Sequence, residues 1–252
     1  MTTAGPQGTG ARRRPGALSY GHPWGVVMLD FDSQFIPGDM GNTSTFDFPV
    51  LFDVVPGLTV AGILADDEAA FTVRVVEAAR RLVAAGASAI TSNCGFMIRY
   101  QEDVARALDG VSVAMSSLLQ LPMIASTLST TAAVGIVTAD SRVLTPELIE
   151  TYLPGFGERV RIVGLESAPS FCHTMLNGGE TLDVDAIGIE VVAASRNLAA
   201  HPEVGAILFE CAALPPYAAA TQQDTGLRVY DFTTMVDWLH LAGRRRNFGG
   251  YY

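Results

Sequence analysis

The sequence contains no lysine: all 16 of its basic residues are arginine. Without a lysine amine the chain forms no internal Schiff base, which excludes the usual attachment of pyridoxal phosphate. The phosphate-cradling G-x-x-x-x-G-K-[ST] loop is excluded by the same absence. Cysteine is scarce, with three residues and no C-x-x-C spacing, and the four histidines show no ligand spacing. That pattern is neither a disulfide framework nor a zinc site, and it fits a reducing, cytoplasmic compartment. Positive charge is outnumbered, with 26 acidic side chains against 16 basic and a formal net charge of -10. Such a balance argues against capture of nucleic acid or an anionic membrane. No apolar run reaches membrane-spanning length. The opening MTTAGPQGTGARRRPGALSYGHP has basic residues but no apolar segment behind them, so it does not read as a secretory signal.

What is present is an alternation of short apolar runs with amphipathic stretches. Strand candidates are 25–29, 87–91, 111–115, 133–138, 160–163, 204–209 and 227–230. Apolar positions recur at helical spacing over 67–85 and 183–200, and Thr145 followed by Pro146 is a helix start. Strands apolar throughout and separated by helices indicate parallel sheets covered on both faces. The chain also repeats itself: WGVVMLDFDSQ (24–34) is similar to AAVGIVTADSR (132–142), and each copy leads through a helix-rich section to a strand ending in cysteine. The expected fold is α/β, two doubly wound parallel-sheet lobes related by a pseudo-twofold axis, with the active site in the cleft between them. The boundaries expected are a flexible tail over 1–23, a first lobe over 24–131 and a second over 132–232. A C-terminal helix and tail follow over 233–252, free to return to the first lobe.

The two strand-end cysteines are Cys94, in ITSNCGF, and Cys211, in FECAALPPY. Free cysteine is often a small buried hydrophobe, so each taken alone reads equally well as core or as a reactive group. Ser92 and Asn93 precede Cys94 with polar groups, and Gly95 permits close backbone approach where a helix starts. A thiolate at a helix N-terminus is stabilised by the free N–H groups there. In doubly wound sheets ligands bind beyond the carboxyl ends of strands, so both thiols should face one cleft. Two thiols on opposite faces of a carbon acid suit racemisation: one removes the α-proton and the other returns one. Cys172, in PSFCHTML, lacks such surroundings and reads as structural.

Several segments in order resemble the aspartate/glutamate/hydantoin racemase superfamily, the cofactor-independent two-cysteine racemases. They are GDMGNTSTFDFPV (38–50), ITSNCGF, MSSLLQLP (115–122), GIVTAD (135–140), FECAALPPYA (209–218) and YDFTTMVDWLH (230–240). The resemblance implies a two-lobed α/β enzyme with no metal and no cofactor, acting on a small carboxylate such as an aspartate- or glutamate-like amino acid. It assigns Cys94 and Cys211 as the catalytic acid/base pair. It matches Asn42, Ser92, Asn93, Ser117 and Thr138 to substrate binding; Gly95, by close backbone approach, and Ala212, by its backbone N–H, join that set from the sequence itself, while Asp39 either orients the loop or caps its turn. One departure stands out: many relatives follow the second cysteine with Thr and then Asn or His, whereas here Ala212 and Ala213 follow. The loss of polarity there leaves room for a less polar or non-amino-acid substrate. The alternative on the same scaffold is therefore an arylmalonate-decarboxylase-like or maleate-isomerase-like enzyme. Dimers are common among such folds, so a homodimer is the prior for partners.

Overall fold

The computed structural model describes residues 21–65 and 68–245. Residues 1–20 of the expected N-terminal tail and 246–252 of the C-terminal one lie outside the described residues. Two four-stranded parallel sheets form the frame. The first contains β1 (Trp24–Met28), β2 (Val50–Val54), β3 (Ala89–Ser92) and β4 (Ser112–Ala114), in the order β2-β1-β3-β4. The second contains β5 (Ala133–Thr138), β6 (Val160–Gly164), β7 (Val204–Phe209) and β8 (Arg228–Tyr230), in the order β6-β5-β7-β8. The same order twice is the repeat detected in the sequence.

Central strands β1 and β5 are buried along their whole length, which is why they read as unbroken apolar runs. β2 is the strand missing from the sequence-based expectation. It is a partly exposed edge strand, FPVLFDVVP having Asp53 in mid-run and a proline on either side. Proline tolerates an edge position because its missing N–H faces no neighbour.

Matching hydrogen bonds make the pseudo-symmetry specific. Val55 N–H donates to the Met28 carbonyl at 2.9 Å, and Leu165 N–H donates to the Thr138 carbonyl at 3.0 Å. Past the next strand, Asn93 N–H donates to the Val27 carbonyl at 3.2 Å, and Glu210 N–H donates to that of Val137 at 2.9 Å. Val27 thus corresponds to Val137, Asn93 to Glu210 and Cys94 to Cys211. In each sheet the order reverses direction between the first strand and the third, and both cysteines stand just beyond that switch point.

The helix Phe232–Gly243 follows the second sheet in sequence but covers the first. Its Phe232, Met235 and Val236 are fully buried against Trp24, Met40, Phe48, Ala89, Ala114 and Ala212. An Asp231–Thr234 capping box starts it. Gln120 anchors it, donating to the Asp231 carbonyl at 2.8 Å and accepting from the Thr234 hydroxyl at 2.9 Å. Near its end His240 stacks on Phe48 at 3.9 Å between ring centres and accepts from the Trp24 indole N–H at 3.2 Å. Replacing Phe232 with alanine removes the largest buried side chain that the helix brings to this contact. The Phe232→Ala variant is expected to lose about 3–5 kcal/mol of stability, read from urea unfolding followed by intrinsic fluorescence. A loss below about 1 kcal/mol would mean that the helix is not integral to the first lobe.

Candidate active site

Cys94 and Cys211 line one cavity, which they enter from the ends of β3 and β7. It holds about 580 Å³ of empty space, its open mouth included. Cys94 is the N-cap of the turn Gly95–Tyr100, which runs on into the helix Gln101–Ala107. The N–H groups of Phe96 and Met97 face its sulfur, while the Ala213 N–H faces that of Cys211. Burial pushes both thiols up, and the nearby Glu210 carboxylate pushes them further; the amides offset only part of this. Both are therefore thiols at rest. Two amides against one make Cys94 the easier to ionise.

Glu210 and Asp39 are the acidic residues of the lining. The Glu210 side chain is wholly buried. Its Oε2 accepts from the Thr138 hydroxyl at 2.8 Å and from the Ala139 N–H at 3.4 Å, while its Oε1 is buried without a partner. Burial raises its pKa from 4.5 to about 7, those two donors opposing the shift. Asp39 is also raised to about 7 by burial, against a Gly41 N–H donated to its carboxylate at 2.7 Å. Gly95 is required by this packing, since a Cβ there would collide with both the side chain and the carbonyl of Glu210. The remaining walls are apolar and include Phe31, Phe35, Phe96, Phe171 and Met175. Among the described residues no arginine or histidine lines the cavity, and none form a cluster of three or more metal-ligating side chains.

Of the residues singled out in the sequence, Cys94, Cys211, Asn93 and Asp39 line the cavity. Asn93 is held by its Oδ1, which accepts from the Leu29 N–H at 2.8 Å. Ser92, Gly95, Ser117 and Thr138 stand behind the lining. The Ser92 hydroxyl donates to the Met115 carbonyl at 2.5 Å. That of Ser117 donates to the Phe209 carbonyl at 2.8 Å, joining the two halves of the chain directly behind Cys211. Ala212 is buried against the C-terminal helix, and its carbonyl accepts from the Met40 N–H at 3.3 Å. Asn42 does not line the cavity. Its amide shapes the loop over 35–45, donating to the Phe35 carbonyl at 2.8 Å and accepting from the Ser44 N–H at 2.8 Å. Sequence reasoning missed Glu210 and the aromatic wall. The signal for Glu210 was a carboxylate closing an otherwise apolar strand. The signal for the wall lay in PSFCHTML, whose Phe171 precedes and whose Met175 lies within a π-helical turn, Cys172–Leu176. Such turns occur frequently at functional sites.

Solved structures with this fold include a glycine-to-cysteine variant of arylmalonate decarboxylase (TM-score 0.56, 18% identity, covering 91% of this chain and 97% of that one). A glutamate racemase isoform from Bacillus anthracis has a TM-score of 0.59 at 11% identity, covering 92% and 83%. Allantoin racemase from Klebsiella pneumoniae has a TM-score of 0.55 at 17% identity, covering 91% and 97%. The fold is therefore the one that these racemases and the decarboxylase share. No protein-family model matches the chain. In sequence it is 34% identical over 223 residues to dimethylsulfoniopropionate lyase 7 of Emiliania huxleyi, covering 83% of this chain and 64% of that one. It is 32% identical over 224 residues to the dimethylsulfoniopropionate lyase of Durusdinium sp. clade D, covering 85% and 72%. The chain belongs to the family of these lyases, and it spans a little under two thirds of the Emiliania protein's length.

The buried Glu210 makes stability depend on pH. Its folded value of about 7 exceeds the ordinary 4.5, so the folded state binds the extra proton between those limits. Stability from this group is complete below about pH 4.5 and is lost as pH rises to about 7. The cost of the buried charge above that window is on the order of 3 kcal/mol. Glu210→Gln removes the titration. Its stability relative to the parent is expected to climb through this window and level off above it, measured by urea unfolding across pH. A constant difference would show that Glu210 does not titrate there.

Proposed function

We propose that the chain cleaves dimethylsulfoniopropionate, or a closely similar β-sulfonio carboxylate, into a sulfide and an α,β-unsaturated acid, with a cysteine thiolate as base. The observation that carries this reading is the cavity lining: aromatic rings, a thioether and two acidic residues around the thiols, with no cationic side chain. An aspartate- or glutamate-like dicarboxylate meets no counter-charge there. A sulfonium is itself a cation, attracted by ring faces and by an ionised carboxylate. Phe35 and Asp39 belong to one loop, in which Gly41 packs on the Phe35 ring. Aromatic face and carboxylate thus come together on one side of the cavity. The family relatives carry the name of this substrate.

The chemistry follows from the electrostatics. Burial and Glu210 keep the thiols protonated in the empty site. A bound sulfonium brings the positive charge the lining lacks, which favours the thiolate where it is needed. Cys94, facing two amide N–H groups, takes the proton from the carbon beside the carboxylate. The released pair forms the new C=C bond while the C–S bond breaks and its electrons leave on sulfur. The sulfide departs neutral and needs no proton, so one base is enough. Racemisation needs a base and an acid, one on either face.

The second reading is a cofactor-independent racemase or epimerase of an amino acid or related α-substituted carboxylate. It is favoured by the presence of both cysteines in one cavity. The two separate cleanly in the expected outcomes. Incubation with dimethylsulfoniopropionate is expected to release dimethyl sulfide, measured by headspace gas chromatography. Cys94→Ser should lower that rate by roughly 10²–10⁴ and Cys211→Ser by clearly less. No sulfide from the parent, together with deuterium uptake from heavy water by an enantiopure amino acid that either cysteine variant abolishes, would establish the racemase instead.

A further inference from the structure

The elimination as written leaves Glu210 without a task, although it lines the cavity and its carboxyl acts electrostatically on both thiols. We propose that Glu210 acts in its neutral, protonated form, its Oε1–H serving as the hydrogen-bond donor to the carboxylate of the bound substrate. This rests on the reading that the substrate carries a carboxylate beside the carbon that loses its proton.

Four observations support it. First, Thr138 and Ala139 both donate to Oε2, which leaves Oε1 as the oxygen that carries a proton. Second, Oε1 is buried with no hydrogen-bond partner among the described residues, in a residue that lines the cavity. A buried polar atom without a partner is costly and rare, and a ligand is one of the few things that completes it.

Third, the pseudo-symmetric position in the first half holds a neutral amide bonded in the same manner. Asn93 Oδ1 accepts from Leu29 N–H as Glu210 Oε2 accepts from Ala139 N–H, and no hydrogen bond is spent from Asn93 Nδ2 among the described residues. Asn93 and protonated Glu210 are therefore equivalent modules, each with an oxygen tied to backbone and a donor left over. Fourth, the other titratable groups of the lining are Cys94, Cys211 and Asp39, with no cationic side chain to balance them. A thiolate, a substrate carboxylate and the Asp39 carboxylate that meets the sulfonium already place three negative charges in the cavity. Ionising Glu210 beside them would add a fourth against one sulfonium. Holding its proton avoids that and supplies a donor that strengthens as charge moves from the α-carbon onto the carboxylate oxygens. A buried acid kept neutral to donate to an oxyanion is a known device.

The experiment uses the full chain with acrylate, the unsaturated acid expected as product, as probe. Infrared difference spectra of the parent minus Glu210→Gln should show a protonated carboxylic acid band with acrylate bound at about pH 8, above the value of about 7 at which the empty site titrates. By calorimetry, Glu210→Leu should bind acrylate at least about tenfold more weakly. Glu210→Gln, whose amide N–H replaces the O–H, should recover most of that loss. In the lyase assay Glu210→Leu should lower kcat by roughly a hundredfold, with Glu210→Gln again far milder. Absence of the acid band, or a glutamine variant as impaired as the leucine one, overturns the proposal even if the parent releases sulfide. Should the parent release none while the band and the acrylate pattern hold, the inference stands and the lyase reading falls. A leucine variant that does not fold leaves the band and the glutamine variant to decide.

Discussion

Negative charge in a cavity without a cationic neighbour is the constraint to which the rest of the structure answers. Two thiols and two carboxyls share an enclosed site, and nothing in its lining carries a fixed positive charge. Each ionisable group is pushed toward its neutral form by burial, and each ionisation makes the others harder. The protein offsets this with dipoles alone: amides at Cys94 and Cys211, and a hydroxyl with an amide at Glu210. The reactive state is therefore held back until a ligand contributes charge. That is a way of keeping a cysteine base quiet in an empty site.

The symmetric frame explains why this site is divided as it is. Two copies of one strand order bring two strand ends to the cavity, each with a polar residue and then a cysteine. The copies have diverged where chemistry needs difference. Asn93 faces Glu210 across the pseudo-axis, and Met28 in the first half corresponds to Thr138, which holds the carboxyl in the second. Gly95 is small because Glu210 from the other half presses against it.

Much of this was legible in sequence. Central strands buried on both faces give unbroken apolar runs, so β1, β3, β5 and β7 declared themselves, and so did the cysteines that end two of them. The edge strand β2 did not, because a half-exposed strand with Asp53 inside and prolines around it has neither alternation nor a pure run. Polar residues near the site were the harder part. Asn42, Ser117 and Thr138 lie in segments that carry the family likeness, but hydrogen bonding within the protein occupies them, and no local pattern distinguishes a ligand contact from a turn or a tether. Glu210 was invisible as a buried acid because its burial is imposed by Gly95, distant in the chain. The apolar walls of the cavity hid inside ordinary-looking hydrophobic positions.

The return of the Phe232–Gly243 helix to the first sheet has a consequence for how the two halves hold together. The halves of the sequence and the halves of the molecule are not the same objects. A chain cut between the repeats would leave the first sheet bare over Trp24 and Phe48 and the second with an apolar helix that has nowhere to dock. The doubled unit is thus locked by a crossing-over of its tail, much as exchanged arms lock a dimer. Each half thus depends on the other to cover an apolar face.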